Sequence, residues 1–282
     1  MKLLSWNIQW GRGMDGRVDP QRILKTIRQL DQFDVICLQE VAVNFPGLPG
    51  SEGENQLELL SAGLQDYTAI YSPATDVPDG HGNRSLFGNA IFCRLPVGQI
   101  WRHLLPWVVE PETPSMQRTL IEIVVTTAFG PVRVLTTHLE YYSQRQREVQ
   151  IEAIRRLHVE AHASISRVPK SAEQNGPFDG CPRPAEAILC GDMNFPASAN
   201  ERLQLLASFE NGIPAFYDTR TLLYPGVPHA PTVGIHPVDF VDRPECFDYI
   251  FITNGLKNRL KSYHTDAETQ ASDHQPVWIE LS

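Results

Sequence analysis

No run of apolar residues in this 282-residue chain approaches the roughly 18 that a membrane-spanning helix needs, so a helical membrane anchor is not expected. The opening Met1-Lys-Leu-Leu-Ser-Trp has too short an apolar stretch, and no small-residue cleavage site, for a secretory signal. A conventional cleavage would also remove Asn7, which is singled out below, so the expected location is cytoplasmic. Positive charge is scarce and dispersed: 24 Lys and Arg against 33 Asp and Glu give a net charge of -9, with no Lys/Arg run. Long nucleic acid is gripped by concentrated positive charge, so long duplex DNA is a possible partner but a less favoured one. The five cysteines (Cys37, Cys93, Cys181, Cys190 and Cys246) are odd in number and lack the C-x-x-C spacing of zinc or redox sites. Three lie in strand-like runs (DVICLQE, AIFCRL, AILCGD) and read as small buried hydrophobes in a reducing compartment. Internal repeats and hinge-like linkers are absent too, and the 42% hydrophobic content is enough for a substantial core, so residues 1–282 are expected to form a single domain.

Short apolar strands alternate with amphipathic helices. Strands are predicted at 2–6, 34–39, 67–71, 88–94, 117–127, 131–138, 186–191, 247–252 and 276–281, with QRTLIEIVV and VRVLTTHL forming a hairpin across a Phe-Gly-Pro turn. A helix at 20–30 is capped by Asp19, starts on Pro20 and presents Ile23, Ile27 and Leu30 on one face. A second runs from about 143 to 165, with Ser143 and Gln146 reading as a capping box and Ile154, Leu157, Ala161 and Ile165 as its stripe. Shorter helices are predicted at 55–64 and 199–208, and a polar, Pro/Gly-rich surface loop at 168–185. Many strands with interspersed helices and hairpins suggest an α/β sandwich rather than a simple parallel sheet.

The informative pattern is where polar residues fall. LLSW leads to Asn7, DVICLQ to Glu40, LFG to Asn89, VLTT to His138, AILCG to Asp192 and Asn194, and Asp273-His274 precedes PVWIEL. One polar residue after a strand is ordinarily a turn or cap residue. Six such deliveries of carboxylate, carboxamide and imidazole fit a shared site better than six caps. Carboxylates with amide oxygens suit a hard cation such as Mg²⁺ or Mn²⁺, and no thiolate cluster points to zinc.

SWNIQ (5–9), LQE (38–40), GNAIFCR (88–94), TTHLE (136–140), GDMN (191–194), FDYI (247–250) and SDHQP (272–276) occur in an order that resembles the endonuclease/exonuclease/phosphatase superfamily, the group of deoxyribonuclease I. TTHLEYYSQRQR is also similar to uncharacterised bacterial members of that group. The resemblance implies a four-layered α/β sandwich: two packed, mainly antiparallel β-sheets flanked by helices, with the site at one end. It also implies roles. Glu40 would be the principal metal carboxylate, with Asn7 and Asp273 completing the metal environment directly or through water. His274 would be the catalytic imidazole and Asp248 the acid that orients it. Asp192 would orient or activate water and Asn194 hydrogen-bond the phosphate. His138 would hydrogen-bond the phosphate or protonate the leaving group, with Asn89 and Arg118 as substrate contacts.

Further out, His81, Asn83 and Arg84 in GHGNRS, then Glu140, Tyr141, Tyr142 and Arg145, then His229 and Thr232, are candidates for the mouth, each with a plain loop or cap as its rival. The leading expectation is a metal-dependent phosphoesterase that hydrolyses a phosphate mono- or diester by water attack. The acidic balance tilts its substrate toward a small phosphoester or a short nucleic acid. The alternatives are a Mg²⁺-dependent DNA or RNA nuclease, which needs cations such as Arg12, Arg17, Arg84, Arg118 and Arg145 around the mouth, and a non-catalytic scaffold, which ought to have lost the residues named above.

Overall fold

Lys2–Asn7 (β1) reads KLLSWN, and every residue after Lys2 is buried; a strand of this kind needs cover on both faces. The computed structural model, which describes residues 1–80, 82–166 and 183–282, supplies it with a second sheet on one face and helices on the other. After β1 come α1 (Pro20–Leu30), β2 (Val35–Val43), α2 (Gln56–Gly63), β3 (Thr68–Pro78), β4 (Arg84–Cys93), β5 (Val97–Leu104), β6 (Thr119–Thr127) and β7 (Gly130–His138). They are followed by α3 (Gln144–Ala163), β8 (Ala187–Asp192), α4 (Asn200–Leu206), β9 (Phe216–Asp218), α5 (Thr219–Leu223), β10 (Asp248–Thr253), β11 (Leu260–Thr265) and β12 (Val277–Leu281).

Two six-stranded sheets result, ordered β11-β12-β1-β2-β4-β3 and β5-β6-β7-β8-β10-β9. Alternate residues on the central strands point to opposite faces, which divides the core. Leu3, Cys37 and Ile91 meet Ile123, Val134, Ile188 and Ile250 between the sheets. Leu4, Trp6, Ile36 and Leu38 pack beneath Ile23, Leu24 and Ile27 of α1 and Leu60 of α2. Leu135 and Leu189 pack beneath Ile151 and Ile154 of α3 and Leu205 of α4. The result is four layers, helices outside and sheets inside, with β1–β2 and β7–β8 the parallel pairs at the two sheet centres and antiparallel pairing elsewhere.

Helix starts follow their caps. The Asp19 carboxylate accepts the N–H groups of Gln21 and Arg22, and Ser143 Oγ accepts the Gln146 N–H at 3.1 Å. The reciprocal half of the expected capping box is replaced, because the Gln146 amide turns to Glu110. Of the expected α3 stripe, Ile154 and Ala161 are buried, but Ile165 lies past the helix and is exposed. β5, β9, β11 and α5 were not expected; β5 and β11 alternate polar with apolar residues at sheet edges, and β9 and α5 are three and five residues long. Most of the expected 168–185 loop, and Cys181, lie outside the described residues. The other four cysteines are buried and free. No described helix is long and apolar enough to cross a membrane.

Candidate active site

A parallel pair brings two carboxyl-terminal strand ends to the same edge, and here both pairs end at the same end of the sandwich. β1 and β2 run in register through Asn7 and Gln39. β7 and β8 pair through His138 and Asp192, and antiparallel β10 sets Asp248 opposite Asp192. Glu40 needs one further device. An irregularity between Leu38 and Val41 gives β2 one more residue than β4 across the same stretch, and Glu40 takes φ 61°. This bulge breaks the alternation that would otherwise return Glu40 to the helix-covered face with Leu38. The left-handed backbone costs about 1–2 kcal/mol.

Four acids and two imidazoles meet there. Asn7 Nδ2 donates to Glu40 Oε1 at 3.0 Å and to Asp192 Oδ2 at 2.9 Å, while its Oδ1 accepts the Gln9 N–H at 3.0 Å. Asn7 thus ties two carboxylates together through its nitrogen, its oxygen being engaged with the backbone. Asp273 Oδ2 accepts from Gln9 Nε2 at 2.5 Å, and its Oδ1 from Ser272 Oγ at 3.2 Å. Burial, reinforced by the neighbouring Asp273 charge, pushes Glu40 up to about 7, and burial raises Asp273 as well. Such mutually repelling carboxylates form a hard-oxygen donor set whose charge a divalent cation would offset.

His274 lies between two acids. Its Nδ1 is 2.8 Å from Asp248 Oδ2, and its Nε2 is 3.7 Å from Asp192 Oδ2. Asp192, Asp248 and His274 place ligand-type atoms within 4.8 Å of one another, but the imidazole stands between the carboxylates, which makes this a hydrogen-bonded chain rather than a cage. Burial opposes charge on His274; the surrounding Asp248, Asp192 and Asp273 carboxylates outweigh it and hold the imidazole well above its ordinary value. Asp192, also buried, is held below its ordinary value by His274 and its donors Asn7 and Asn194. His138 Nε2 stands 3.4 Å from Asp192 Oδ2. Burial and the Arg118 charge push His138 down to about 3, so it is neutral.

GDMN folds as it does because Gly191 has φ 138° and a Cβ there would sit 1.9 Å from the Thr137 carbonyl oxygen. Only glycine lets β8 lie this close to β7. Asn194, at φ 52°, donates from its backbone to Asp192 Oδ1 at 2.9 Å and from Nδ2 to the Leu139 carbonyl at 2.9 Å. Arg118 is buried rather than at the surface, with Nε 3.4 Å from Glu140 Oε2. Asn89 does not line the cleft; its Nδ2 donates to the Thr119 carbonyl at 3.1 Å, bracing the residue beside Arg118.

The cleft above these groups measures about 320 Å³ and is lined by Glu40, Arg118, His138, Asp192, Asn194, Asp273 and His274 below and by Trp10, Phe87, Tyr141, Tyr142 and Phe240 around the mouth. Of the outer residues suggested by the sequence, Tyr141 and Tyr142 reach it. Glu140 is buried and holds Arg118. Arg145 is exposed and does not line it. Arg84 pairs with Asp76 at 2.7 Å in the β3–β4 hairpin, away from the cleft lining, and His81 lies outside the described residues. His229 is turned to Asp218 at 2.8 Å. Thr232 is buried, and its Oγ1 accepts the N–H groups of Phe247 and Asp248 at 3.0 and 3.1 Å; it steadies Asp248 and does not line the cleft. Sequence reasoning gave no role to Gln9, Trp10 and Phe240. Gln9 and Trp10 arrive through three successive left-handed residues, Gln9, Trp10 and Gly11 at φ 44°, 43° and 73°, and only Gly11 hinted at that turn.

The sequence model of the endonuclease/exonuclease/phosphatase family matches residues 4–274. No curated protein matches the chain in sequence. Among solved structures, an endonuclease/exonuclease/phosphatase from Beutenbergia cavernae superposes with TM-score 0.67 at 24% identity, covering 100% of this chain and 72% of that one. The mannosyl-6-phosphatase of Bacteroides thetaiotaomicron gives 0.68 at 18% identity, covering 100% and 99%. The human Nocturnin catalytic domain with bound sulfate gives 0.63 at 16%, covering 100% and 93%. At these identities the likeness is one of fold.

Proposed function

We propose that the chain, which belongs to the endonuclease/exonuclease/phosphatase family, is a metal-dependent phosphoesterase that hydrolyses a phosphate mono- or diester by attack of water. The observation that carries this reading is the convergence of Glu40, Asp192, Asp273 and His274 on the floor of one cleft, with Asp248 buried behind His274. Glu40 and Asp273 would hold Mg²⁺ or Mn²⁺, with Asn7 keeping Glu40 and Asp192 in place. The ion, when bound, neutralises phosphoryl charge.

The remaining chemistry belongs to the side chains. Asp192 is approached by donors, Asn7 Nδ2 and the Asn194 N–H on its two oxygens, so it is held as a carboxylate and serves as the acceptor for the proton of the attacking water. Asp248 fixes the His274 ring and stabilises its positive form, so that the Nε2–H donates to a phosphoryl oxygen as charge develops there. Arg118 offers its planar guanidinium to the phosphate, and neutral His138 adds a hydrogen bond. The new P–O bond forms to water, whose proton passes to Asp192, as the ester P–O bond breaks; the departing oxygen takes a proton from solvent, leaving an alcohol and the hydrolysed phosphate.

The test is ester cleavage by the purified protein with Mg²⁺ or Mn²⁺ and after chelation, beside Glu40→Ala and His274→Ala. Wild-type turnover that requires the ion and collapses in both variants supports the reading. Equal turnover in all three proteins overturns the residue assignment. A folded wild-type protein inert to a broad phosphoester panel favours the scaffold alternative.

A further inference from the structure

The mouth of the cleft is built from flat rings. Trp10, Phe87, Tyr141, Tyr142 and Phe240 line it with Met116, and no Leu, Ile or Val is among the described residues lining it. The rings support one another: Tyr141 meets Tyr142 edge-on at 4.9 Å and Phe240 edge-on at 5.9 Å, and Phe240 lies parallel to the His274 imidazole at 6.3 Å. Two of their three polar tips are turned to the protein. Trp10 Nε1 donates to the Pro49 carbonyl at 3.0 Å, and the Tyr141 hydroxyl donates to the Phe240 carbonyl at 2.5 Å. The Gln9 amide nitrogen donates to Asp273. What remains above the phosphate-handling floor is ring faces and edges, with the hydroxyl of Tyr142, a residue 63% exposed.

A sugar can lie with its C–H face on a ring, but it also requires several hydrogen-bonding groups beside that ring for its hydroxyls, and a lipid chain is better served by branched aliphatic side chains. A wall of rings favours a flat π-system, because offset-stacked and edge-to-face contacts add to simple burial. Among the described residues lining the cleft Arg118 is the only Arg or Lys, and Arg12 lines the adjoining hollow that shares Gln9, Phe240 and Asp273 with it; two cations fall short of the tracks of positive charge that follow a long backbone. A base within a duplex has both faces covered by its neighbours and cannot offer one to the wall.

We infer that the esterified group is a nucleoside whose single unpaired base seats among Trp10, Tyr142 and Phe240 while its phosphate reaches His274 and Asp192. The base comes from a free nucleotide or from the end of a single strand. This rests on the phosphoesterase reading above.

The experiment compares kcat/KM, with Mg²⁺ or Mn²⁺, for esters matched in phosphoryl chemistry: adenosine monophosphate against glycerol phosphate and mannose 6-phosphate, and dithymidylate against glycerophosphoglycerol. Single-stranded and duplex oligonucleotides form the remaining arms. Wild type is expected to prefer the nucleoside member of its pair by at least tenfold and a single strand over a duplex. Tyr142→Ala, at an exposed position that folding tolerates, and Trp10→Ala are each expected to shrink that preference by roughly fivefold or more, the scale of one lost base stack. Turnover of the glycerol or mannose ester equal to or above the nucleoside ester overturns the inference while leaving the phosphoesterase reading intact. So does a preference that both variants retain in full. Inactivity on every ester overturns both.

Discussion

The Asp248 carboxylate lies 2.8 Å from His274 Nδ1, and both side chains are withdrawn from solvent. The contact fixes which nitrogen faces the cleft. Asp248→Asn keeps the shape but removes the charge that stabilises the imidazolium, and the amide can present its N–H to Nδ1. We expect kcat to fall by roughly 100-fold or more with KM changed little and the fold retained. Steady-state kinetics with a circular-dichroism melt reads both, and an unchanged kcat removes Asp248 from the mechanism.

Glu40 is costly to the metal-free protein. Burial and the nearby Asp273 raise it from 4.5 to about 7, so folding disfavours its ionised form. An acid raised on folding destabilises above its unfolded value: the penalty is absent below about pH 4.5, grows toward pH 7 and levels off at about 3 kcal/mol. Glu40→Gln should therefore stabilise the chelated protein at pH 8, with the gain gone at pH 4. Added Mg²⁺ or Mn²⁺ should stabilise wild type more than the variant. Denaturant titrations at the two pH values, with and without ion, test this; a destabilised variant at pH 8 without metal contradicts it.

Gly191 and Gly130 make a matched pair. Both have left-handed or near-left-handed backbones, at φ 138° and 109°, but a Cβ on Gly191 would stand 1.9 Å from the Thr137 carbonyl whereas one on Gly130 meets nothing within 4 Å. We expect Gly130→Ala to cost about 1–2 kcal/mol and Gly191→Ala to cost more than about 3 kcal/mol, with strand separation and loss of activity. Similar melting temperatures for the two variants would show that β7 and β8 can move apart freely.

Acid should weaken the fold from a place remote from the cleft. Fully buried His158 accepts from Arg133 at Nδ1 (2.8 Å) and donates from Nε2 to the Pro214 carbonyl (2.9 Å), which fixes it as the neutral Nε2–H tautomer. Burial, with the Arg133 charge, lowers it to about 4. The unfolded histidine takes up its proton near 6.5, so this contribution is complete above that value and is lost as pH falls toward 4, by about 3 kcal/mol. Glu122, held at about 2 by His103, Arg183 and Arg133 against its burial, adds a further loss between about 4.5 and 2. Unfolding free energies measured from pH 7.5 to 4 should show this slope, and His158→Gln should flatten it.

Much of the fold was legible because its central strands are apolar on both faces and its helices open on Asp19 and Ser143. The edges were less so: β5 and β11 take polar side chains on their open faces, which removes the apolar run that marks a strand. The floor of the site was legible because Asn7, Glu40, His138, Asp192 and Asp248 lie at the ends of apolar strands, a short-range property, although the bulge that turns Glu40 inward leaves no mark in the sequence. The rim was not. Trp10 depends on a left-handed turn and Phe240 on an irregular loop, and neither leaves a periodic trace. Thr232 was read as part of the mouth, but its hydroxyl faces inward beneath Asp248, a choice made by packing that its neighbours in sequence do not reveal.

The two parallel pairs carry a further consequence. β1 and β2, in one sheet, bring Asn7 and Glu40; β7, β8 and β10, in the other, bring His138, Asp192 and Asp248. Neither sheet owns a working centre. Catalytic competence is therefore an assay of sandwich closure: a refolding chain that has formed both sheets but not docked them would have nearly all its secondary structure and no turnover. Recovery of activity, followed beside recovery of the far-ultraviolet signal, would time the moment the halves meet.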